Sequence, residues 1–102
     1  MIARMWHGWT KPERADAYEN LLRNKMFPSM RRIQGFEGAY LLRRNAEEEV
    51  EFVTVTMFTS LDAVLRFAGD DYETAVLHPQ AAGLLSRYDA KSVHYDIRIT
   101  PE

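Results

Sequence analysis

Met1 to Thr10 read MIARMWHGWT and predict a β-strand that begins at the first residue. Apolar residues occupy both alternating faces of this strand, a pattern typical of the middle of a sheet. The strand carries an imidazole, His7, between two indoles, Trp6 and Trp9, which makes it the first place to look for a functional site. Because it starts at residue 1, we expect no targeting segment ahead of it.

The composition is that of an ordinary globular domain. The chain has 102 residues, of which 46% are hydrophobic and 27% charged, and this predicts a single domain over residues 1–102. A net charge of −2 argues against nucleic acid or an anionic membrane as a partner. The absence of cysteine excludes disulfides, thiolate metal sites and a cysteine nucleophile, and it fits the cytoplasmic location that we expect.

Two signals mark the first helix. Thr10 to Glu13 form a predicted capping box, in which each of the two side chains bonds the backbone N–H of the other residue. Apolar residues at three- and four-residue steps then predict a helix, and Pro28 is expected to kink or break it. Gly35 and Gly38 predict its end, because glycine adopts a positive φ at little cost.

The middle of the chain predicts a β-hairpin followed by a second helix. Residues 39–44 and 50–58 are the two strands, joined by an acidic link. Ser60 is the expected N-cap of the helix, which ends before Gly69. Two short helical pieces and a last strand complete the order, over residues 72–77, 80–87 and 92–100.

This order, β-α-β-β-α-β, predicts an α+β protein with the ferredoxin-like fold, a four-stranded antiparallel sheet with helices on one face. The first and third strands lie in the centre of such a sheet, and both are apolar on two faces. Helices can cover only one of those faces, and a bare apolar patch of that size is unusual on a monomer. We therefore expect a homodimer that packs sheet against sheet.

Three stretches of the chain carry a resemblance to a known family: MIARMWHGWT at 1–10, GAYLLRR at 38–44, and SLDA at 60–63 with FAGDDYETAV at 67–76. In order and length they resemble the antibiotic biosynthesis monooxygenases. The resemblance implies a dimeric α+β barrel, in which two ferredoxin-like sheets close face to face and each protomer keeps a cleft between sheet and helices. Members of that family include cofactor-free monooxygenases that oxidise polyketide quinone precursors with O₂, and relatives that bind and cleave haem.

Three functions are open on this basis. The leading hypothesis is a small cofactor-independent monooxygenase that oxidises an aromatic or quinol-type small molecule with O₂. The second is a haem-binding or haem-degrading protein that uses His78 or His7 as the axial ligand. The third is a ligand-binding or stress-associated dimer that has kept the fold without the reaction.

Strand alternation places His7 and Trp9 on one face of the first strand and Trp6 on the other. We expect the His7 face to look at the helices, so that His7 acts as a general base and Trp9 contacts the substrate, while Trp6 packs in the dimer. The resemblance adds Phe67 and Tyr72, which belong to the region that roofs the cleft in relatives. We expect Phe67 to contact the substrate and Tyr72 to serve in acid–base chemistry.

His78 is the third catalytic candidate. In haem-degrading relatives an axial histidine lies close to this position, and in a cofactor-free enzyme His78 is an alternative base. The structural alternative is a histidine at a helix C-terminus, where the helix dipole favours it. The histidines at 7, 78 and 94 show no zinc-ligand spacing, and we expect no metal site.

Overall fold

The structure is a computed structural model and describes residues 1–101. Its centre is an antiparallel sheet of five strands, in which β1 pairs with β3 on one side and with β4 and β5 on the other, and β2 pairs with β3 at the outer edge. The strands are β1 (Ile2–Thr10), β2 (Phe36–Asn45), β3 (Val50–Phe58), β4 (Leu85–Tyr88) and β5 (Val93–Asp96).

The helices lie on one face of this sheet, so the ferredoxin-like α+β fold predicted from the sequence is confirmed, with the first and third strands in the centre. A continuous helical segment connects β1 to β2, and one helix follows β3. The segment comprises a 3₁₀ turn (Pro12–Arg14), α1 (Ala15–Leu21), a π-helical turn (Leu22–Met26) and α2 (Phe27–Met30), and the later helix is α3 (Leu61–Ala68).

The register of β1 against β3 decides which residues face the helices. Even-numbered residues of β1 point into the helical layer, and Arg4, Trp6 and Thr10 are buried there. Below α1 the core centres on Tyr18 and Phe52, whose rings lie 4.8 Å apart. We call this side the covered face of the sheet and the other side, which carries the odd-numbered residues of β1, the open face.

Of the two outcomes predicted for Pro28, a kink or a break of the first helical segment, the break is wrong. The turn immediately before Pro28 is π-helical, and α2 continues through this proline to Met30. Proline cannot donate to the carbonyl one turn back and its ring crowds that carbonyl, so a widened turn ahead of it lets the helix continue. The Ser29 hydroxyl donates to the carbonyl of Met26 at 2.6 Å, which satisfies an acceptor beside the proline.

The predicted capping box is also wrong, whereas the predicted cap of α3 is confirmed. Thr10 is the last residue of β1, and its hydroxyl is buried without a hydrogen-bond partner within residues 1–101. The helical segment begins after Lys11, whose side chain does not cap it. At α3 the Ser60 hydroxyl accepts from the Ala63 N–H at 3.3 Å, as expected of an N-cap.

The two helical pieces predicted after α3 are wrong. Residues 75–78 are non-helical, and the Ala75 N–H donates to the Ala90 carbonyl at 2.9 Å. Residues 85–88 form β4, which pairs with Gly8 to Thr10. The physical reason is the free edge of β1, whose N–H and C=O groups need partners and find them in this segment. The last strand is shorter than predicted and ends at Asp96.

Within residues 1–101, no helix is long and apolar enough to cross a membrane.

Candidate functional site

A narrow pocket lies between the covered face and the helical layer. Its cavity volume is about 40 Å³, and the space between the wall residues is about 480 Å³ when the open solvent at the mouth is included. Aromatic rings from the sheet, the first helical segment and α3 form much of its wall. These rings belong to Trp6, Tyr18, Phe27 and Phe67, and the polar and charged wall residues are Arg4, Thr54, Thr56, His78 and Ser92. Pockets of this kind, apolar with a few convergent polar groups, are the usual form of small-molecule sites.

Trp6 belongs to this wall and not to the open face, where the sequence analysis placed it. The residue is buried, and its indole N–H donates to the carbonyl of Asp89 at 2.7 Å. Gly8 is the next residue on the same face, and a Cβ there would lie 2.9 Å from the Trp6 ring. A side chain at position 8 would therefore push the indole out of place. The absence of a side chain at Gly8 leaves room for the Trp6 ring in the wall.

Arg4 enters the pocket from the same face of β1. It is only 4% exposed, and its guanidinium donates to the carbonyls of Tyr72 and Thr74, the second at 3.0 Å. The guanidinium carbon lies 5.5 Å from the centre of the Phe67 ring, within the range of a cation–π interaction. Burial lowers the pKa of Arg4, but a guanidinium starts so far above neutral that it stays charged.

His94 on β5 completes this group. Its Nε2 lies 3.1 Å from Nη1 of Arg4, and since a guanidinium has only donors, Nε2 is the acceptor and the neutral ring carries its proton on Nδ1. Burial first, and then the Arg4 charge, lower the pKa of His94, while Glu73 raises it in part. The ring also lies edge-on to Tyr72, with centroids 5.1 Å apart.

His94 is not part of the pocket wall, whereas Tyr18 and His78 are, and these two polar rings differ in their protonation chemistry. Burial raises the pKa of Tyr18, so its phenol stays protonated and cannot act as a base near neutral pH. Nδ1 of His78 accepts from the Gln80 N–H at 3.2 Å. The neutral His78 ring therefore carries its proton on Nε2, which makes it a hydrogen-bond donor in this arrangement.

His7 and Trp9 lie on the open face, so the prediction that they line the cleft is wrong. Nδ1 of His7 is 3.1 Å from a carboxylate oxygen of Glu51, and its ring stacks at 6.0 Å on Trp9. The guanidinium of Arg87 lies over the Trp9 ring, with its central carbon 3.8 Å from the ring centroid. The same guanidinium forms an ion pair with Glu49 at 3.0 Å. Both faces of β1 are apolar in the sequence, so alternation alone does not tell which one meets the helices.

The structure thus divides the five predicted site residues into two groups. Phe67 and His78 lie in the pocket wall, and Tyr72 adjoins it through its carbonyl on Arg4 and its ring on His94. His7 and Trp9 lie on the opposite side of the sheet. The sequence analysis missed Arg4 as a site residue, and the signal that points to it is a charge inside an otherwise apolar central strand.

Within residues 1–101, no group of three or more histidine or acidic side chains comes close enough together to hold a metal ion.

Several solved structures are similar to this chain, and the three that follow are each less than 25% identical to it, so they show the fold alone. One is Rv0793 from Mycobacterium tuberculosis, with 19% identity, a TM-score of 0.61, and coverage of 99% of this chain and 96% of that one. A second is an antibiotic biosynthesis monooxygenase, with 18% identity, a TM-score of 0.66, and coverage of 97% and 100%. The third is SnoaB from Streptomyces nogalater, described as a cofactor-independent oxygenase, with 23% identity, a TM-score of 0.58, and coverage of 99% and 98%.

No curated protein matches the sequence significantly. The family model of the antibiotic biosynthesis monooxygenases, however, matches residues 1–76, about three quarters of the chain, and so confirms the resemblance seen in the sequence. The chain belongs to the antibiotic biosynthesis monooxygenase family.

Proposed function

We propose that this protein is a small cofactor-independent monooxygenase that oxidises an aromatic, quinol-type molecule with O₂ in the pocket on the covered face. The observation that carries the proposal is this aromatic-walled pocket, set between sheet and helices in a chain of a monooxygenase family. The fold shared with SnoaB, a cofactor-independent oxygenase, supports the absence of a cofactor.

The reaction balances without an added reductant. An enolisable aromatic such as anthrone loses its two methylene hydrogens and gains one oxygen atom as a carbonyl, and the second oxygen atom of O₂ leaves as water. The enolate supplies the electrons, so the protein must bind the substrate, favour its ionised form and exclude water. Apolar walls such as Trp6 and Phe67 strengthen the electrostatic interactions inside the pocket by lowering the local dielectric.

We propose that His78 donates a hydrogen bond to the substrate oxygen. Nδ1 of His78 accepts a hydrogen bond from the Gln80 N–H, so the proton of the neutral ring is on Nε2. His78 can act as a base through Nε2 only if this hydrogen bond breaks and the ring proton moves to Nδ1. Tyr72 remains the other acid–base candidate, next to His94. The base role expected of His7 is not part of the proposal, because the sheet separates that residue from the pocket.

The hydrogen bond at His78 does not support the haem hypothesis. A histidine that binds iron through Nε2 normally donates its other ring N–H to an acceptor, whereas Nδ1 of His78 is itself an acceptor. The ligand-binding alternative uses the same pocket and differs only in its outcome, which is binding without oxygen uptake.

We also propose that the protein is a homodimer formed through the open face. Tyr40, Leu42, Val93 and Tyr95 are large apolar side chains on this face, and each is at least half exposed in the single chain. They continue into partly buried neighbours on β1 and β3, Met5, Val53, Val55 and Met57. A second copy of the sheet would cover this patch, whose size is unusual on a monomer.

The cytoplasmic location and the single domain over residues 1–102 stay predictions.

The test measures oxygen uptake and anthraquinone formation by the purified protein with anthrone, in the presence of a metal chelator. We expect turnover with one O₂ consumed per anthraquinone and no hydrogen peroxide. Val76→Trp, which fills the pocket from its wall, should abolish turnover, whereas Ala82→Trp, on an exposed turn outside the wall, should not. An absence of oxygen uptake, or full activity in Val76→Trp, would contradict the proposal.

A further inference from the structure

The segment that follows α3, residues 72–78, forms no helix, and we call it the strap. Its last three residues, Val76, Leu77 and His78, line the pocket wall. Within residues 1–101, the backbone of Val76 and Leu77 forms no hydrogen bond with another backbone group. The positions of these wall residues therefore depend largely on how the earlier part of the strap is held.

The backbone of that earlier part is paired with residues 90–92. The Ala75 N–H donates to the Ala90 carbonyl at 2.9 Å, and the Ser92 N–H donates to the Glu73 carbonyl at 2.7 Å. Both are hydrogen bonds between neutral groups, which contribute less to stability than bonds from a charged donor.

Arg4 adds charged donors from the middle of the sheet. Its Nη1 donates to the Tyr72 carbonyl, and its Nη2 donates to the Thr74 carbonyl at 3.0 Å. The planar fork of a guanidinium can reach two carbonyls at once, whereas a lysine offers only one nitrogen. Hydrogen bonds from an ionised donor are roughly twice as strong as neutral ones. Arg4 therefore supplies the stronger part of the attachment of the strap.

A buried arginine is a costly way to attach a loop. Arg4 is 4% exposed and forms no ion pair with an acidic side chain of residues 1–101. Burial of such a charge costs stability that an apolar side chain at the same place would not cost. Proteins depart from the rules of stable packing mainly at functional sites. The role of Arg4 is therefore to be sought in the segment that it holds.

We propose that Arg4 is a positioning residue of the pocket, which holds the strap so that Leu77 and His78 keep their places in the wall. His94 is the second part of this clasp, because its Nε2 accepts from Nη1 of Arg4 at 3.1 Å. Arg4 acts through the strap. The inference rests on the proposed function only for its consequence for catalysis.

The clasp should open when His94 takes up a proton. A protonated imidazole has only donors, so Nε2 could no longer accept from Arg4, and two cations would lie side by side. Burial and then the Arg4 charge lower the pKa of His94, and the exposed Glu73 raises it in part. Tyr72 meets the ring edge-on, and the next side chain of that face of β5, Asp96, is exposed. At neutral pH the ring is therefore neutral and the clasp is closed.

Amide hydrogen exchange, followed by NMR, tests the positioning role without any substrate. Arg4→Met gives an unbranched apolar side chain that suits a buried place, and it removes every donor of the guanidinium. The Ala75 and Ser92 amides should exchange ~10- to 100-fold faster in this variant, while the amides of β3 keep their rates. Arg4→Lys, which keeps the charge, should lie between the variant and the wild type. Unchanged exchange at Ala75 and Ser92 overturns the proposal, and so does an equal acceleration in β3.

Arg66→Met is the matched control. Arg66 also donates to a backbone carbonyl, that of Gln34 at 3.1 Å, but it is an exposed residue of α3. Its substitution should leave the exchange of the strap unchanged. An equal acceleration of the strap amides in the Arg66 and Arg4 variants overturns the assignment to Arg4.

The anthrone reaction shows the consequence for catalysis. Arg4→Met should lower kcat by ~10-fold or more and change KM less, because a displaced His78 loses its place at the substrate oxygen while the aromatic wall remains. A wild-type kcat in a variant whose strap exchanges faster overturns the positioning role. A wild-type protein that does not oxidise anthrone contradicts the proposed function, and the exchange rates still decide whether Arg4 holds the strap.

A measurement on the unmodified protein decides the matter if Arg4→Met does not fold. Between about pH 7 and about pH 5, the protection of the Ala75 and Ser92 amides should fall relative to that of β3, after correction for the intrinsic pH dependence of exchange. It should not fall in His94→Gln, whose side-chain carbonyl can accept from Arg4 and does not titrate. The other two histidines are present in both proteins, so they cannot cause a difference between them. An equal fall in both proteins, or none in the wild type, overturns the proposal.

Discussion

The two faces of one sheet differ in how their charges are matched. On the open face His7 lies beside Glu51, and Arg87 pairs with Glu49 while it covers Trp9. On the covered face Arg43, at the edge of the sheet, pairs with Asp16 and Glu19, but Arg4 is buried in the middle with only neutral groups bonded to it. An exposed ion pair contributes little, whereas a buried guanidinium bonded to backbone carbonyls fixes the segment that carries them, and that segment is part of the pocket wall. The comparison therefore favours the covered face as the chemical face and the open face as the assembly face.

The largest effect should come from a charge placed on the open face. Leu42 is 50% exposed in the single chain, so Leu42→Asp should leave the fold intact and separate the proposed dimer, because a carboxylate would be buried against apolar side chains. Light scattering at micromolar concentration should give the mass of two chains for the wild type and of one for the variant.

Leu61→Asp is the matched control. Leu61 is 41% exposed at the start of α3, away from the open face, and its substitution should leave the mass unchanged. A wild-type mass of one chain would remove the assembly role from the open face, and so would dissociation in both variants.

The next largest effect should be a difference between the two tryptophans of β1, in how much free energy of unfolding is lost when each is replaced by alanine. In the Leu42→Asp background, where the open face is free, Trp6→Ala should cost about 3–5 kcal/mol as a large buried side chain is lost. Trp9→Ala should cost about 1 kcal/mol, since it removes mainly contacts with Arg87 and His7, whose side chains are both partly exposed. Urea unfolding curves give both values. Costs in the reverse order would mean that the faces are assigned the wrong way round.

A smaller effect concerns pH and the covered face. The pKa of His94 is lower in the folded state than in the unfolded chain. At pH values between these two pKa values, the unfolded chain therefore binds more protons than the folded protein does. Stability should therefore fall as the pH drops through this range, and His94→Gln, whose carbonyl can still accept from Arg4, should reduce the loss. Urea midpoints measured between about pH 8 and about pH 5 give the comparison. An equal loss in both proteins would show that another group is responsible.

Much of the fold could be predicted because its signals are local. The apolar pattern of β1 and β3, the hairpin between β2 and β3, and the Ser60 cap of α3 each follow from neighbouring residues, and all three are confirmed. β4 could not be predicted in this way. Residues 85–88 form a strand because they lie beside the free edge of β1, and that is a property of the tertiary structure.

The site was harder to predict than the fold. Phe67 and His78 lie in the pocket wall, but the sequence analysis placed His7 and Trp9 there as well. The chemistry of an imidazole beside an indole suggested these two residues. Which face of β1 meets the helices cannot be predicted in this way, because both faces are apolar and the answer depends on where the helices pack. Arg4 went unnoticed because a charged residue in a strand is normally interpreted as solvated, and its burial is visible only once β5 and the segment after α3 close over it.

The central claim, that the reaction belongs to the covered face, is tested most directly by the anthrone-dependent oxygen uptake of His7→Gln beside that of Val76→Trp. Glutamine cannot act as a general base, and loss of a true base costs ~10²–10⁴-fold in rate. Our account predicts a wild-type rate and pH profile for His7→Gln and no turnover for Val76→Trp. A loss of that size in His7→Gln, with activity kept in Val76→Trp, would contradict it and move the chemistry to the open face.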